Sequence, residues 1–426
     1  MMAALRALVV LACLGGALCA QPGFDPAVAR EPHVARALES VTSRQQAAVQ
    51  DWIRLAEIPS ASGEEKARAT YLEARLREIG LKNVTRDAIG NVYAVREGTD
   101  PNGPTVVFAA HMDTVFALDV PRQVKREGGR LAAPGIGDDS CGLQGLLEAF
   151  RAWQSAGLRT KGRLVFLATV QEETRLRGAR EFLLQSGIKT DMFVAVDIWL
   201  GKVWYGALRI SRPKFVYTSP GSHTLFSRNN PTPVKAVAAA IQDVYRIALP
   251  PVEPGLEDMK LPVVNVGMMG GGPIVNAIPQ EAFFTVDLRS LDNATQDRLE
   301  TEVARVAHAA AEREGVGFRI EKPQGEDVSF AKVRTRQQRL ADPLVQIAVG
   351  VHDYFKLGPG GKTEPLDMGS TDANVAVGLG IPAIAVGAAR YTGPHTLAES
   401  AEEASLVEGS RMLVLLGAAL AGVAAP

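Results

Sequence analysis

The chain has 426 residues, of which 46% are hydrophobic and 22% are charged, and its formal net charge is −1. This length leaves room for two or three domains with a large core, and the composition is that of a globular protein. A charge so close to neutral offers no basic surface for nucleic acid and no polybasic patch for a membrane. We therefore expect neither partner.

The first 20 residues are typical of an export signal. Arg6 supplies the positive charge, residues 7–18 are apolar but too short to span a bilayer, and small residues precede Gln21. We expect cleavage near Gln21 and a periplasmic or secreted protein. A lipoprotein acylated at Cys13 or Cys19 and a buried first helix are the alternatives.

Between residues 21 and 211 we expect the first part of a catalytic domain. Residues 21–40 look like a loose lead-in, Gln45–Leu55 has helical spacing, and Ser62 with Glu65 forms a capping-box pattern that opens a second helix. Continuous apolar strands then alternate with amphipathic helices, which indicates a mostly parallel α/β sheet covered on both faces. The strands are Asn91–Arg96, Thr105–Ala110, Leu164–Thr169 and Met192–Val196, and the helices are Gly142–Ala156 and Arg175–Gln185.

The pattern changes at about Ser211, where we expect an inserted domain over residues 212–325. Alternating strands and two helices predict one α+β layer, with both helices on one side of a sheet. The α/β pattern then returns over residues 326–426, with a buried strand and an apolar last helix, so the catalytic domain is discontinuous. The elements are the strands Lys214–Thr218, Ala282–Arg289 and Ala383–Val386 and the helices Pro233–Arg246 and Thr295–Arg313.

Residues suited to metal binding recur at five places, and four of these follow predicted strands, where ligands gather in parallel sheets. Adjacent buried carboxylates are costly unless a cation neutralises them. Two histidines with several carboxylates suit a pair of divalent ions, with zinc favoured and cobalt or manganese able to substitute. The five places are His111-Met112-Asp113, Asp138-Asp139, Glu172-Glu173, Asp197 and His395.

In this order the motifs resemble the dinuclear zinc metallopeptidase family that includes peptidase T, carnosinase, aminoacylase and carboxypeptidase G. The resemblance extends from Gln45 to beyond His395. It implies a zinc-peptidase catalytic domain with an inserted ferredoxin-like domain that serves as lid and dimerisation surface. The implied roles are that His111 and Asp197 bind the first zinc, Glu173 and His395 bind the second, Asp138 bridges both, Asp113 orients His111, and Glu172 is the general base.

The inserted domain carries three further elements of this resemblance. Pro220-Gly221-Ser222-His223 is similar to the family's Gly-Gly-His segment, which implies a homodimer in which His223 reaches the partner's active site. Asn276 and Arg289 are similar to its asparagine and substrate-carboxylate elements. The alternatives are a surface histidine at His223 and a solvated arginine on a half-exposed strand at Arg289.

The predicted function is hydrolysis of an amide bond in a short peptide. Family members with aspartate at the position of Asp197 tend to be aminopeptidases or dipeptidases, so the resemblance favours an exopeptidase of that kind. A carboxypeptidase or N-acyl amino acid deacylase with the same metals is one alternative. A catalytically silent peptide-binding protein is the other, although such a protein would not need the base Glu172.

Overall fold

The computed structural model describes residues 23–252, 261–321 and 332–425. The predicted export signal and the predicted boundary at 325/326 lie outside these ranges. The helices are α1 (Pro32–Ser43), α2 (Gln45–Ala56), α3 (Lys66–Glu78), α4 (Ser140–Ser155), α5 (Glu172–Arg175), α6 (Arg177–Gln185), α7 (Pro233–Val244), α8 (Asn293–Glu314), α9 (Arg336–Leu340), α10 (Pro343–Tyr354), α11 (Ala373–Gly378) and α12 (Ser405–Ala421).

The strands form one large sheet, a second sheet in the inserted domain and two small sheets. They are β1 (Thr85–Arg86), β2 (Val92–Arg96), β3 (Thr105–His111), β4 (Lys125–Glu127), β5 (Arg130–Ala132), β6 (Arg163–Thr169), β7 (Met192–Val196), β8 (Val203–Trp204), β9 (Arg209–Ser211), β10 (Lys214–Thr218), β11 (Ser222–His223), β12 (Val263–Gly271), β13 (Ala277–Ile278), β14 (Glu281–Ser290), β15 (Gly317–Glu321), β16 (Ala383–Val386), β17 (Tyr391–Thr392) and β18 (Ser400–Glu402). Single 3₁₀ turns lie at Pro26–Arg30, Thr224–Phe226 and Pro359–Gly361.

The large sheet has the order β1-β2-β6-β3-β7-β16-β8. Its four central strands, β6, β3, β7 and β16, run parallel. On either side of them, β2 pairs antiparallel with β6 and β8 pairs antiparallel with β16. Every residue of β3 and β16 is buried, as expected for strands covered on both faces. The carboxyl ends of β6, β3, β7 and β16 therefore meet at one edge of the sheet. The predicted fold class is confirmed.

Two apolar clusters cover the faces of this sheet. The larger contains side chains of α1, α2, α4, α10 and α12, with Trp52 and Trp153 fully buried among them. The smaller contains Ala179 and Phe182 of α6 and the buried face of α11. The last helix, α12, packs on the sheet as predicted. Among the described residues, no helix combines the length and apolar character needed to cross a membrane.

The inserted domain is a second, antiparallel sheet of order β12-β14-β10-β15, to which β9 adds by pairing with β14. Helices α7 and α8 pack on one face over a separate core that includes Phe215, Tyr217 and Phe284. This matches the predicted sheet with both helices on one side. The sheet begins with β9 at Arg209, three residues before the start expected at 212. Strand β12 lies at an edge.

The expectation that residues 21–40 are a loose lead-in is wrong. A 3₁₀ turn and α1 occupy most of this segment, and Val34, Ala37, Leu38 and Val41 are buried. Their spacing of three, four and seven residues gives the helix one apolar face, which packs against α4 and α12.

Two helix boundaries also differ from expectation. Ser62 is not a helix cap: α3 begins at Lys66, and the Ser62 hydroxyl instead donates to the Asp113 carboxylate at 2.6 Å. The helix expected over Arg175–Gln185 is divided at Leu176, whose φ of 54° is left-handed and cannot continue a right-handed helix. Both differences lie next to the candidate site, since Ser62 contacts Asp113 and Leu176 directly follows α5.

Candidate metal centre

The candidate ligands meet at the carboxyl edge of the large sheet because of strand register. His111 ends β3 and pairs with Thr169, the last residue of the parallel strand β6. Glu172 and Glu173 follow β6 in α5, and Asp197 directly follows β7, the neighbour of β3 on its other side. Three strand ends thus bring one imidazole and three carboxylates to one place.

His111 is buried and its ring is held at both nitrogens. Nδ1 lies 3.0 Å from the Asp113 carbonyl oxygen and 3.4 Å from its carboxylate, while Nε2 lies 2.9 Å from Asp138 Oδ1 and 3.4 Å from Asp197 Oδ1. With the Nδ1 proton directed at Asp113, Nε2 of the neutral ring would face carboxylate oxygens as a second acceptor. A cation between them, or a second proton on the ring, is required.

The pKa values of His111 and Asp197 also indicate that the site needs additional positive charge. Burial alone would lower the pKa of His111, but the carboxylates of Asp197, Asp113 and Asp138 outweigh it and raise that pKa well above its usual value. Burial raises the pKa of Asp197 to about 7, despite the opposing effect of His111. These pKa shifts indicate that the site holds more carboxylate groups than its histidine can neutralise. A divalent cation would neutralise the excess negative charge.

His395 meets the second oxygen of Asp138. Its Nε2 lies 3.1 Å from Asp138 Oδ2 and 3.1 Å from Glu173 Oε1, and its backbone has a left-handed φ of 62°. Hydrogen bonds that the ring donates to these two carboxylates raise the pKa of His395 to about 10. The two oxygens of Asp138 therefore face two different histidines, which is the arrangement expected of a bridging carboxylate.

The donor set fits a pair of divalent ions. His111, Asp138 and Glu173 offer ligand atoms that all lie within 4.8 Å of one another, and His111, Asp139 and Asp197 form a second such set. Nitrogen and oxygen donors of this kind bind zinc and other first-row metals. Asp139 also lies close, but its carboxylate accepts from the His111 and Gly142 backbone N–H groups at 2.9 and 3.1 Å and caps α4. We therefore assign Asp139 to the support of the site.

Asp113 joins the two sides of the centre. Its Oδ1 accepts from the Glu172 N–H at 3.0 Å, and its Oδ2 accepts from the Glu173 N–H at 3.2 Å and from the Ser62 hydroxyl at 2.6 Å. The carboxylate thus holds the imidazole of His111 and the start of α5 at the same time. The sequence indicated the contact with His111 but not the contacts with the α5 backbone.

Glu172 is buried beside the ligands, and burial together with Asp197 raises its pKa well above its usual value. It follows Gln171, whose φ of 53° is left-handed. The buried carboxylate of Glu65 accepts from the Gln171 N–H at 3.1 Å and from the Gly63 N–H at 2.8 Å, so it supports this unusual backbone. The sequence pattern assigned Glu65 to a capping box and did not predict this role.

A second buried carboxylate supports the loop that carries Asp138. Glu399 accepts from the backbone N–H groups of Gly135, Gly137 and Asp138 at 2.6 to 2.8 Å. Burial raises the pKa of Glu399 to about 7. A glutamate four residues after His395 carries no periodic or compositional signal, so the sequence did not reveal it.

A pocket of about 370 Å³ opens beside the centre. Its lining includes five candidate site residues, several apolar side chains and three arginines, of which Arg289 comes from the inserted domain. The candidate site residues are Asp138, Glu172, Glu173, Asp197 and His395, and the other two arginines are Arg175 and Arg212. The guanidinium groups of Arg289 and Arg212 both contact the Asp287 carboxylate, at 3.0 and 3.5 Å.

The structure does not bring His223 or Asn276 to this pocket. Both are exposed on the inserted domain, where β11 pairs with β13 and the Asn276 carbonyl accepts from the Thr224 N–H. His223 Nδ1 accepts from the Leu225 N–H at 3.2 Å. Within one described chain, these two residues form a separate exposed tip.

Over most of its length the chain is similar to known proteins. The chain is 25% identical over 380 residues to the uncharacterised protein YqjE of Bacillus subtilis, with 86% of this chain and 96% of that protein covered. It is 23% identical over 367 residues to the N-carbamoyl-L-amino acid amidohydrolase of Geobacillus stearothermophilus, with 70% and 82% covered. The crystal structure of a tripeptidase from Staphylococcus aureus shares the fold at 20% identity, with a TM-score of 0.71 and coverage of 87% and 97%.

Residues 107–418 match the model of peptidase family M20/M25/M40. This range includes every strand end that carries a candidate ligand, from His111 to His395. The family predicted from the motifs is confirmed. Because the match spans most of its length, this chain belongs to peptidase family M20/M25/M40.

Proposed function

We propose that this protein hydrolyses the amide bond of short peptides by metal-dependent chemistry, as an aminopeptidase or dipeptidase. The observation that carries the proposal is the placement of His111 and His395 on the two oxygens of Asp138, with Glu172 in the wall of the same pocket. Five ligand side chains and one further buried carboxylate are what a two-metal hydrolase requires.

In this proposal, His111, Asp138 and Asp197 would hold one divalent ion, and Asp138, Glu173 and His395 would hold the other. Zinc is the ion that we favour, with cobalt or manganese as substitutes. When bound, such ions polarise the substrate carbonyl and lower the pKa of water at the site towards about 7.

Glu172 performs the proton transfers of the proposed reaction. Its raised pKa makes it a better proton acceptor than an exposed glutamate, so it takes a proton from the attacking water and delivers it to the leaving nitrogen. The contacts of Asp113 with the α5 backbone fix the start of the helix that bears Glu172. Arg289, which lines the same pocket, would bind a substrate carboxylate.

We further propose that the substrate has a free α-amino group. The reason is Asp197, since the carboxypeptidases and deacylases of the family tend to carry glutamate at this position. Di- and tripeptides and their N-acetylated forms, supplied with zinc, cobalt or manganese, test this choice. Faster cleavage of the free peptides supports it. Equal cleavage of the acetylated peptides would favour a carboxypeptidase or N-acyl amino acid deacylase.

A homodimer formed through the inserted domain is also proposed. Strand β12 is an edge strand with exposed Met268 and Met269, and an unpaired edge of this kind can pair with a second copy across a two-fold axis. The neighbouring tip exposes Leu225 and Phe226 as well as His223. A second copy would cover this apolar surface, and His223 of each chain would reach the active site of the other.

Export is the remaining proposal, and it rests on the composition of residues 1–20. Mass measurement of the N-terminus of protein isolated from an expressing cell tests it. A mature chain that starts near Gln21 in the exported fraction is expected. An intact Met1 in the cytoplasmic fraction contradicts export, whereas an acylated Cys19 favours the lipoprotein alternative.

A further inference from the structure

The pocket beside the metal centre has an apolar wall that the chemistry of hydrolysis does not require. Trp199 and Trp204 lie edge to face with ring centroids 6.0 Å apart, and Ile210 and Met368 continue the surface. The wall begins two residues after Asp197, so it directly adjoins the ligands. Its position suits contact with a substrate group next to the scissile bond.

This wall is backed by well-packed structure. The Trp199 ring stacks on Tyr391 at 5.6 Å, and Trp204 packs with Leu208 and Met368, which are buried in a small cluster between the two domains. The backbone is also fixed, since Trp204 pairs with Ala385 in the large sheet. The surface is therefore preformed, and little side-chain entropy is lost when an apolar group binds to it.

The two tryptophans keep part of their surface open although their neighbours are buried. Trp199 and Trp204 are both partly exposed, and both line the pocket. Ile210 comes from β9 of the inserted domain, so the wall has contributions from both domains. Apolar surface left accessible in a concave site is characteristic of a binding subsite.

We propose that this wall is the subsite for a large apolar side chain of the peptide, either aromatic or branched aliphatic. The proposal rests on the proposed peptidase function and adds the class of substrate. A phenylalanine or leucine side chain would bury its surface against Trp199, Trp204 and Ile210. A charged side chain would lose its hydration there without gaining a partner from this wall.

Dipeptides of the forms X-Gly and Gly-X, with X as phenylalanine, leucine, alanine, aspartate or lysine, test the proposal on the metal-loaded protein. At one of the two positions we expect phenylalanine or leucine to exceed alanine by roughly 10- to 100-fold in kcat/KM, the range for hydrophobic side-chain discrimination. Aspartate and lysine should be no better than alanine at that position.

Variants of the wall connect this preference to the named residues. In Trp204→Ala and in Ile210→Ala, the ratio of kcat/KM for the phenylalanine peptide to that for the alanine peptide should fall by roughly 10-fold. Trp204→Phe, which keeps an aromatic ring, should restore most of the ratio. Leu184→Ala removes an exposed aliphatic side chain on α6, outside the pocket, and should leave the ratio unchanged. If Trp204→Ala does not fold, Ile210→Ala decides.

The outcomes separate this proposal from the one on which it rests. Cleavage of all the dipeptides without preference, or a preference that both wall variants retain, overturns the subsite and leaves the peptidase function standing. Failure to cleave any free or acetylated peptide, although two ions are bound, overturns both.

Discussion

The candidate functional residues of the large sheet and those of the inserted domain differ in burial and in their hydrogen bonds. At the edge of the large sheet, His111, Asp113 and Glu172 are buried and held by hydrogen bonds within the same chain. On the inserted domain, His223 in the small β11-β13 sheet and Asn276 just before β13 are exposed and lie outside the pocket. Under our proposals, the metal centre is complete within one chain, whereas the tip of the inserted domain acts only in the site of a second copy.

Removal of the bridging carboxylate should have the largest effect on the buried side of this comparison. In Asp138→Ala, two cations would repel each other without a shared anion, so at least one ion should be lost. We expect kcat/KM to fall by about 10⁴-fold or more, at or beyond the upper range for loss of an acid–base group. Metal analysis with kinetics checks this. Two ions retained at wild-type affinity would contradict the bridging role.

Glu172→Gln should separate metal binding from proton transfer. The variant keeps the size of the side chain but cannot accept a proton, so kcat should fall by about 10²- to 10⁴-fold. Both ions should stay bound, because we assign Glu172 no ligand role. Loss of metal in parallel with activity would instead make Glu172 a ligand.

The exposed side of the comparison is tested at His223. If this histidine stabilises the oxyanion in a partner's site, His223→Ala should lower kcat by about 10²- to 10³-fold. When this variant is mixed with Glu172→Gln, each mixed dimer has one site with both residues intact, and activity should return towards half of the wild-type value per mixed dimer. Sedimentation and confirmed subunit exchange are the controls. Without recovery, or with a fully active monomer, action in trans is refuted.

Glu65 should give the smallest effect of the series, since it acts only through the backbone before Glu172. Glu65→Ala removes the acceptor for the Gln171 N–H, and a displaced base should lower kcat by roughly 10- to 100-fold with little change in KM. Glu65→Gln keeps the acceptor oxygen and should restore most of the activity. Glu64→Ala, at the adjacent exposed position, is the matched control. Equal losses in both alanine variants would rule out a positioning role.

Much of the large sheet could be predicted because its strands are continuous apolar runs with clear ends. Met192–Val196 and Ala383–Val386 in this sheet have the bounds that the pattern indicated, as does Lys214–Thr218 in the inserted sheet. The polar residues that follow such strands meet at one edge by topology alone. For this reason the neighbourhood of His111, Glu172 and Asp197 could be predicted without coordinates.

The supporting residues could not be predicted, because their partners are backbone groups far away in the chain. Ser62 and Glu65 match a helix-start pattern, yet their side chains hold Asp113 and the Gln171 N–H instead. Glu399 accepts from a loop more than 250 residues earlier in the chain. Local patterns describe which conformation a segment prefers, and they carry no information on which distant amide a carboxylate will accept.

The position of β16 has a consequence for how the protein is made. This strand comes late in the chain, at Ala383–Val386, yet it lies inside the large sheet between β7 and β8. During synthesis the sheet therefore keeps a gap between β7 and β8 until residues 383–386 have left the ribosome. The inserted sheet is built from one contiguous stretch and can fold earlier, since domains generally fold as units during synthesis. We expect the metal centre, which draws His395 from beyond β16, to assemble only after His395 has left the ribosome.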